Sequence, residues 1–373
     1  MELLYEIWLH EVCDFEPELA AKMAPVFEKP VHSFSSSDKE RELLKEIGVS
    51  GEFAERMSNP EIFERAKATI KYCEDNGIRI ITMDSEEYPA RLKEINTPPR
   101  ILFAKGAYLS IDNEVGVSVV GARKCTDHGK TFARLIGRSL ARHNIVVISG
   151  MAEGIDAEAH KGALDEEGKT IAVLAGSVDH IYPKCNERLY RQILEKGGTI
   201  LSERPPKTPV KRYFYQQRNR IITGLSLGAV IVEGEEHSGT SISARVALED
   251  NKDIFAVPGN PMQAMSKLPN RLIDEGAIFV KNADIPAYHY KERFPNLVFE
   301  RTSKNTPAKK TEHLLTEDQK ILKFLKENGG VARADQLAES LGINLGVLSG
   351  RLTILCIKGK IRQESGNRYV LCE

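Results

Sequence analysis

The stretch VSVVGARKCTDHGKTFARLIGRSLARHNIVVISGMAEGID, residues 117–156, decides the fold. It begins with an apolar run at Val117–Val120, continues as a helical pattern over Gly129–His143 and reaches a second apolar run at Ile145–Ser149. Short β-rich runs that alternate with helical segments predict parallel strands joined by crossover helices. Glycines after each run permit a tight turn into the next helix.

The same alternation continues to about Val280, which predicts a doubly wound, mostly parallel α/β sheet with helices on both faces. The predicted strands are Val117–Val120, Ile145–Ser149, Thr170–Ala175, Thr199–Ser202, Ala229–Glu233 and Ile254–Val257. The predicted helices between them include Gly129–His143, Ile155–Glu167, Glu187–Lys196 and Ser241–Asn251.

On the N-terminal side, residues 1–100 are predicted to form a helical domain. Its first 75 residues hold nine Lys and Arg against seventeen Asp and Glu, so this part of the chain is strongly acidic. The segment Ile47–Gly51 is compatible with a helix-hairpin-helix turn, whose glycines let backbone amides meet a phosphate. A plain helix–turn–helix packing unit is the alternative, and the acidic surroundings favour it.

On the C-terminal side, the predicted α/β domain covers 101–285, a polar linker covers 286–315, and a small module covers 316–373. In the module, Leu315–Glu327, Arg333–Leu341 and Asn344–Lys358 are predicted helices, followed by a hairpin that turns at 365–367. Three helices and a glycine-containing hairpin are typical of a winged helix. A small helical bundle remains the alternative.

The composition describes a globular protein of 373 residues with 52 Lys and Arg against 53 Asp and Glu, and a formal net charge of −1. Such a balance excludes a chain that coats polyanions with its whole surface, but it leaves local patches open. An apolar run of about 18 residues is absent, and the acidic N-terminus is unlike a signal peptide, so no membrane span is expected. Six scattered cysteines without a C-x-x-C pair favour reduced thiols in the cytoplasm.

Three loops rich in glycine and hydroxyl residues follow predicted strands, where ligands bind in open parallel sheets. They contain Gly121 and Arg123, then Ser149, Gly150 and Gly154, and finally Ser238, Gly239 and Thr240. Together they predict a rim that binds phosphate or carboxylate groups. Each loop taken alone is equally well explained by ordinary strand-to-helix turn chemistry.

The basic signal lies in residues 204–220, RPPKTPVKRYFYQQRNR, which contain six cations, three aromatic residues and no acid. Cations neutralise phosphates, and Tyr and Phe offer faces on which unpaired bases stack. This mixture favours single strands over duplexes. The alternative is a charged surface helix whose aromatic side chains face the core.

Motifs of catalysis and cofactor binding are missing from the sequence, so no catalytic residue, metal site or cofactor is predicted. The first strand is not followed by G-x-G-x-x-G, and neither a G-x-S-x-G elbow between a strand and the helix after it nor H-E-x-x-H occurs. Asp156 and His160 stand four residues apart, which suits a hydrogen bond on one helix face better than a catalytic pair.

Five motifs in register closely resemble the DprA/Smf family of DNA-processing proteins. They are SVVGAR (118–123), SGMAEGID (149–156), RNRIITGLS (218–226), VEGEEHSGT (232–240) and VPGN (257–260). The resemblance implies an extended Rossmann-like fold that binds single-stranded DNA, forms a homodimer through the α/β domain and loads RecA recombinase during natural transformation. It also implies a protein that is not an enzyme, with an N-terminal sterile-alpha-motif or helix-hairpin-helix-like domain and a C-terminal winged helix.

Matching the family's motifs position by position assigns the DNA- and phosphate-contacting residues. These are Gly121, Arg123, Ser149, Gly150, Gly154, Lys184, Arg218, Asn219, Arg220, Ser238, Gly239 and Thr240. Two departures stand out. Tyr215-Gln216 replaces the family's usual Phe-Pro before x-R-N-R, and Leu268 replaces the glycine of S-x-G-x-N-x-L-I.

Two other functions are compatible with the sequence. Nucleotide phosphoribohydrolases carry P-G-G-x-G-T-x-x-E after a late strand, but Ser243 stands here where their glutamate serves the chemistry. The winged helix is alternatively a reader of duplex DNA, because residues 351–368 hold five Lys and Arg and one acid.

Overall fold

The computed structural model describes residues 2–23, 42, 56–57, 59–299, 317–343, 348–349, 351–352, 355–356, 360–364 and 368–371. The chain forms two compact units, Met1–Arg301 and Thr302–Glu373. The predicted division into 1–100, 101–285, 286–315 and 316–373 is finer than these two units and stays a prediction. The proposed helix-hairpin-helix turn at 47–51 lies outside the described residues.

Helices and strands alternate through the first unit. The described helices are α1 Glu2–Val12, α2 Pro17–Met23, α3 Pro60–Asp75, α4 Ala90–Lys93, α5 Asp127–Arg142, α6 Ile155–Asp165, α7 Glu187–Glu195, α8 Phe214–Gly224, α9 Gly239–Glu249, α10 Lys267–Asp274 and α11 Ile285–Arg293. The strands are β1 Arg79–Thr82, β2 Ile101–Gly106, β3 Gly116–Val120, β4 Val146–Ser149, β5 Thr170–Val173, β6 Thr199–Ser202, β7 Gly228–Ile231, β8 Asp253–Ala256 and β9 Ile278–Phe279.

The nine strands form one sheet in the order β1-β2-β6-β5-β4-β3-β7-β8-β9. The seven strands from β6 to β9 in this order run parallel, which confirms the predicted doubly wound α/β fold. All six predicted strands are present, with ends that shift by at most two residues. Their residues are buried on both faces almost throughout, as expected when helices cover a parallel sheet.

Three strands of this sheet were not predicted from the sequence, namely β1, β2 and the two-residue strand β9. Arg79–Thr82 lies within the segment predicted to be helical, yet it pairs antiparallel with Ile101–Gly106, which in turn pairs antiparallel with β6. Neither run is followed by a long helical segment, so neither shows the alternation with helices that revealed the others. This antiparallel pair extends the sheet by two strands at one edge.

Alternate residues along each strand face two different cores. On one face, α8, α9 and α10 pack against residues such as Val146, Ile148 and Ile231. On the other face, α5, α6 and α11 pack against residues such as Val147 and Val230. The helices α1, α2 and α3 share a continuous core with β2, β5, β6, α6 and α7 on this second face.

The first part of the predicted linker is helical. Ile285–Arg293 forms α11, which Pro286 starts in its first turn and which packs against α5. Tyr290 is fully buried, and its hydroxyl donates to the Asp253 carboxylate at 2.9 Å, so this helix belongs to the α/β unit. None of the described helices combines the length and the apolar character needed to cross a membrane.

The second unit contains α12 Glu317–Glu327, β10 Val331–Arg333, α13 Ala334–Leu341, β11 Ile361–Glu364 and β12 Arg368–Leu371. Its strands form an antiparallel sheet in the order β10-β12-β11, and the first of them was not predicted. Most of the predicted third helix, Asn344–Lys358, lies outside the described residues. The winged-helix assignment therefore stays a prediction.

Candidate functional site

The strands β3 and β7 are neighbours at the centre of the sheet, and their connections leave in opposite directions. The chain passes from β3 to β4 on one side and from β7 to β8 on the other. The carboxyl ends of such strands form the topological switch point, where open α/β sheets bind ligands. A pocket of about 400 Å³ lies there, with Gly121, Arg123, Arg218, Gly239 and Thr240 in its wall.

An exposed arginine lies over an aromatic ring at the mouth of this pocket. The Arg123 guanidinium carbon is 4.2 Å from the centre of the Tyr215 ring, a cation–π contact. The pKa of Tyr215 is raised because the phenol is partly buried, and the nearby Arg123 charge opposes this rise. Tyr215 therefore fixes the orientation of the Arg123 guanidinium at the mouth of the pocket.

A second, shallower cavity of about 920 Å³ continues from the pocket and shares Arg123, Tyr215, Ser238 and Gly239 with it. We call the two together the switch-point groove. Its further lining includes Tyr182, which is 50% exposed, and the exposed side chains of Lys211, Arg212 and His237. Among the described carboxylates, none pairs with Arg123, Lys124, Lys211 or Arg212.

The loop after β7 presents free backbone donors to the groove. Ser238 precedes α9, but its hydroxyl donates to the Glu235 carbonyl at 2.7 Å instead of capping the helix. Ser241 donates its N–H back to Ser238, whereas no group in the described part of the chain accepts from the N–H of Gly239 or Thr240. The positive end of the α9 dipole therefore faces the groove, and no carboxylate of the described residues accepts from these two N–H groups.

The loop after β3 is different, because a carboxylate of the chain itself occupies it. Glu233 is buried at the end of β7, and its carboxylate accepts from the Thr126 N–H at 2.8 Å and the Thr126 hydroxyl at 2.5 Å. Thr126 caps α5 and accepts from the Gly129 N–H at 3.0 Å. The N-terminus of α5 is thus neutralised from within.

The loop after β4 is also closed by an internal carboxylate. Asp156, in the first turn of α6, accepts from the Gly150 N–H at 3.1 Å. Burial raises the pKa of Asp156, and the Arg218 guanidinium opposes that rise. Burial in turn lowers the pKa of Arg218, which donates to the Val173 carbonyl at 2.7 Å. Arg218 therefore forms the charged floor of the groove.

Glycines allow these loops to approach one another closely. A Cβ on Gly150 would lie 1.4 Å from the Arg218 Nη1 atom, and one on Gly121 would lie 2.6 Å from Ile155. Gly154 has a φ of +82°, and a Cβ there would lie 2.6 Å from the carbonyl oxygens of Ala122 and Arg123. The structure thus gives these three predicted residues a packing role that brings the groove residues together.

Two predicted side chains are engaged elsewhere or lie at the margin. The Ser149 hydroxyl is fully buried and donates to the Val119 carbonyl at 2.7 Å, so it points into the sheet. Lys184 is exposed, and its loop is joined to the second loop because Asn186 donates to the Met151 carbonyl at 2.9 Å. Lys184 lies two residues from the groove residue Tyr182.

Arg220 lies apart from the groove residues. Its guanidinium pairs with the buried Glu203 carboxylate at 2.5 Å. Glu203 and the neighbouring Arg204 follow β6, and His10 of α1 contacts the Glu203 carbonyl at 2.8 Å. This buried cluster joins the N-terminal helices to the sheet, so Arg218 and Arg220 of the R-N-R motif have different surroundings. A DNA contact by Arg220 stays a prediction.

Asn219 lies between the two helices that border the groove. Its side chain is buried, and its amide donates to the Gly239 carbonyl at 3.5 Å. It therefore ties α8 to the first turn of α9, whose free N–H groups belong to Gly239 and Thr240. Of the predicted residues, Gly121, Arg123, Arg218, Asn219, Ser238, Gly239 and Thr240 all line the pocket.

The second departure from the family pattern, Leu268 in place of glycine, is accommodated in the hydrophobic core. Leu268 is fully buried among apolar residues, and its Cδ2 atom lies 3.0 Å from where a Cβ on Gly234 would be. Asn270 keeps its part of the motif, since it donates to the Gly259 carbonyl and accepts from the Gly259 N–H, both at 3.0 Å. These two hydrogen bonds therefore still fix the conformation of the loop at 257–260.

The side chains that suggested hydrolytic chemistry have separate partners. His160 contacts the Thr170 hydroxyl at 2.6 Å, while Asp156 accepts from Gly150, so they do not form the pair that their spacing allows. Burial lowers the pKa of His160 to about 3. Ser243 lines the pocket, and its hydroxyl donates to the Gly239 carbonyl at 3.4 Å. No described His, Cys, Asp and Glu side chains group in a way that could hold a metal ion.

Sequence reasoning missed several lining residues. Lys124, Lys211, Arg212, Tyr182 and Tyr215 border the groove but were not assigned to the site. Three of them lie in the acid-free segment 204–220, so its composition pointed to them. Asp156 and Glu233 each close one of the loops with a carboxylate. The sequence signal for this role was weaker, namely an acidic residue next to a glycine-rich turn.

These features define a Rossmann-like α/β protein with a groove at its switch point that is lined by exposed cations and free backbone N–H groups. The family model for DNA recombination-mediator protein A matches residues 79–289, more than half of the chain. The chain therefore belongs to this family, which confirms the resemblance of its five motifs to the DprA/Smf proteins.

Known relatives agree with this assignment. The chain is 38% identical over 210 residues to the DNA processing protein DprA of Bacillus subtilis (strain 168), covering 56% of this chain and 70% of that protein. It is similar to the X-ray structure of DprA from Streptococcus pneumoniae, with a TM-score of 0.58, 30% identity and coverage of 76% and 97% of the two chains. DprA from Helicobacter pylori, whose structure concerns its single-stranded DNA binding mode, gives a TM-score of 0.52 at 27% identity and covers 58% and 97%.

Proposed function

We propose that this protein binds single-stranded DNA in the switch-point groove. The observation that carries the proposal is the lining of the groove, where exposed cations without partner carboxylates alternate with tyrosines. Arg123, Lys211 and Arg212 are placed to neutralise phosphates, and the free N–H groups at the start of α9 add donors to an anion. The structure of the Helicobacter pylori relative, described for its single-stranded DNA binding mode, supports this choice.

The tyrosines favour a single strand over a duplex. Tyr182 and Tyr215 border the same cavity, and unpaired bases stack on such rings with about 1–3 kcal/mol per base. In a duplex the bases are already stacked on one another and leave only the phosphates to such a surface. The expected binding is therefore independent of sequence, since stacking does not distinguish bases strongly.

Filter binding with single-stranded and duplex oligonucleotides of equal length tests this proposal. The four exposed cations Arg123, Lys124, Lys211 and Arg212 predict that log K falls with log salt at a slope of roughly −2.8 for a single strand. The single strand should bind more tightly than the duplex at every salt concentration. A flat salt response, or equal affinity for both, would contradict the proposal.

We further propose that the bound strand is protected and handed to RecA recombinase in the cytoplasm, by a homodimer formed through the α/β domain. Membership of the recombination-mediator family supports this role. The test is assembly of RecA on single-stranded DNA that a single-strand-binding protein has covered. The protein should shorten the lag of RecA-dependent ATP hydrolysis, and light scattering should give twice the chain mass. An unchanged lag would refute loading, and a monomer mass would refute the dimer.

We propose that the protein acts by binding and not as an enzyme. Ser243 occupies the position at which phosphoribohydrolases carry their reactive glutamate, and a serine hydroxyl that donates to a carbonyl cannot replace a carboxylate. Incubation with nucleoside monophosphates should release no free base. Release that disappears in Ser243→Ala would establish the enzymatic alternative.

The C-terminal unit is proposed to be a winged helix, with duplex DNA or a protein as its partner. Removal of residues 302–373 tests its role, because the chain divides into compact units there. Single-strand affinity should be retained in the shortened protein. Loss confined to duplex binding would assign duplex DNA to this unit.

A further inference from the structure

A third cavity lies beside the switch-point groove, between the N-terminal helices and the loop 205–211. It has a volume of about 430 Å³, and its lining includes Phe15, Tyr72 and Lys207. We call it the Tyr72 cavity. Pro209 and Lys211 line both this cavity and the groove, so the two depressions meet across this one loop.

The loop holds Lys207 in a conformation that lysine rarely adopts. Its φ is +63°, a left-handed value that costs of the order of 1 kcal/mol or more in a residue other than glycine. Asp179 stabilises this conformation, because its carboxylate accepts from the Lys207 N–H at 3.0 and 3.2 Å. The Lys207 ammonium consequently lies 4.1 Å from the centre of the Tyr72 ring.

Tyr72 is itself positioned by the same carboxylate. Burial raises the pKa of the Tyr72 hydroxyl, and its hydrogen bond to Asp179 raises it further. Asp179 thus joins the loop 205–211 to α3, which carries Tyr72. One acidic residue therefore interacts with both the Lys207 backbone and the Tyr72 hydroxyl, and the Lys207 ammonium lies over the Tyr72 ring.

The charges around the Tyr72 cavity leave an excess of positive charge. Glu11 pairs with Arg65 at 3.1 Å, and Asp14 pairs with Arg56 at 3.6 Å. These pairs use two of the four cations in the lining. Lys207 and Lys211 remain, with Asp179 as the nearby carboxylate that already accepts from the Lys207 backbone and Tyr72. A phosphate therefore meets a net positive surface next to an aromatic ring.

We propose that the Tyr72 cavity is a second subsite for the same single strand, which reaches it from the switch-point groove across Pro209 and Lys211. This inference rests on the proposed function of the groove and extends it. Lys207 and Lys211 bind phosphates, and Tyr72 provides an aromatic surface for a base. The N-terminal helices then take part in binding, and the site prefers strands long enough to fill both depressions.

Affinities for two oligothymidylates, of roughly 6 and roughly 18 nucleotides, test the second subsite. Lys207→Asn removes the charge and tolerates the left-handed backbone, Lys207→Arg keeps the charge, and Tyr72→Leu removes the ring. Lys71→Asn is the matched control, since Lys71 is an exposed lysine next to Tyr72 on α3 that lines no cavity described above.

The wild-type protein should bind the long strand more tightly than the short one. Lys207→Asn and Tyr72→Leu should weaken long-strand binding about 3- to 10-fold and leave short-strand binding unchanged. The long-strand salt slope of Lys207→Asn should be smaller by about 0.7, and Lys207→Arg should behave as the wild type.

Three results would overturn the second subsite. The first is that Lys207→Asn and Tyr72→Leu weaken binding of the short and the long oligonucleotide equally, and the second is that they weaken neither. The third is that Lys71→Asn weakens long-strand binding to the same extent. The proposed function of the groove fails in a different way, because the wild-type protein would then bind neither oligonucleotide.

Discussion

The N-termini of α5 and α9 lie at the same edge of the sheet, follow adjacent strands and differ in what occupies them. Glu233 fills the first, with both of its oxygens hydrogen-bonded to Thr126. The second offers the free N–H groups of Gly239 and Thr240 to the switch-point groove. We refer to them as the closed loop and the open loop. Two glycine-containing loops that follow adjacent strands therefore give one structural anchor and one candidate anion site.

The difference shows that a glycine-rich loop after a strand does not by itself predict a binding site. A helix N-terminus attracts an anion, but a carboxylate from the neighbouring strand satisfies that attraction as well as a ligand would. Glu233 comes from the end of β7 and closes the loop after β3. The position of the candidate site therefore depends on which helix N-terminus has no carboxylate of the chain bonded to it.

The largest expected effect separates Gly150, which Arg218 covers, from Gly239 in the open loop. In Gly150→Ala, the new Cβ would displace the buried Arg218 guanidinium and break its hydrogen bond to the Val173 carbonyl, a loss of about 3–5 kcal/mol in the free energy of unfolding. Gly239 has no heavy atom within 4 Å of such a Cβ, so Gly239→Ala should be neutral or up to about 1 kcal/mol more stable. Urea denaturation measures both, and equal losses would show that the two positions are equally crowded.

Glu233→Ala should turn the closed loop into an open one. Loss of both bonds to Thr126 should cost about 2–3 kcal/mol of unfolding free energy. The freed helix terminus should then bind an added anion, so sulfate should raise the melting temperature of Glu233→Ala more than that of the wild type. Sodium chloride at equal ionic strength is the control, and an equal response to both salts would mean that the terminus stays closed.

Acid should destabilise the protein through His160, which lies on α6, the helix that carries Asp156 in its first turn. Burial lowers the pKa of His160 to about 3, so the folded state keeps it neutral while the unfolded chain protonates it near pH 6.5. The stabilisation that comes from a neutral His160 is therefore complete above about pH 6.5 and is lost as the pH falls. At pH 5 the free energy of unfolding should be lower by about 2 kcal/mol. Denaturation of the wild type and of His160→Gln at about pH 7.5 and 5 measures this effect. Between these pH values the free energy of unfolding should fall less in the variant than in the wild type. An identical pH dependence in both proteins would be inconsistent with a buried neutral His160.

The smallest expected effect compares two exposed cations near the closed loop, one that lines the groove and one that does not. Arg123→Ala removes a charge from the proposed groove and should weaken single-strand binding about 5- to 10-fold, with a salt slope smaller by about 0.7. Lys130 lies next to the closed loop and pairs with Asp127 at 3.1 Å, so Lys130→Ala should leave binding unchanged. Equal losses would mean that general positive charge, and not the groove, holds the strand.

Much of the fold was predictable because a doubly wound sheet repeats a local pattern. Each buried strand and its helix produce their own signal, and six strands were found in this way. The antiparallel strand Arg79–Thr82 was missed because it is stabilised by pairing with Ile101–Gly106. A local sequence pattern does not predict a pairing between two such segments. The helix Ile285–Arg293 was missed since its apolar face depends on contacts with α5 and Asp253.

The candidate site was predictable in its residue types and less so in its geometry. Arg123 and the open loop were found from the strand ends on which they stand. Arg218 and Arg220 are two residues apart and equally basic, yet one forms the floor of the groove and the other pairs with Glu203. Only the packing of α8 against the sheet decides which arginine faces which partner.

The shared core of α1, α2 and α3 with the sheet has a consequence for making shorter forms of the protein. The family match begins at residue 79, but a chain cut there would lose half of the core that Phe103, Ile200 and Tyr190 share with Trp8 and other residues of the N-terminal helices. It would also leave Glu203 and Arg204 without His10 and Phe15. The smallest piece suited to crystallisation or to binding studies of the groove therefore retains the N-terminal helices and ends after α11.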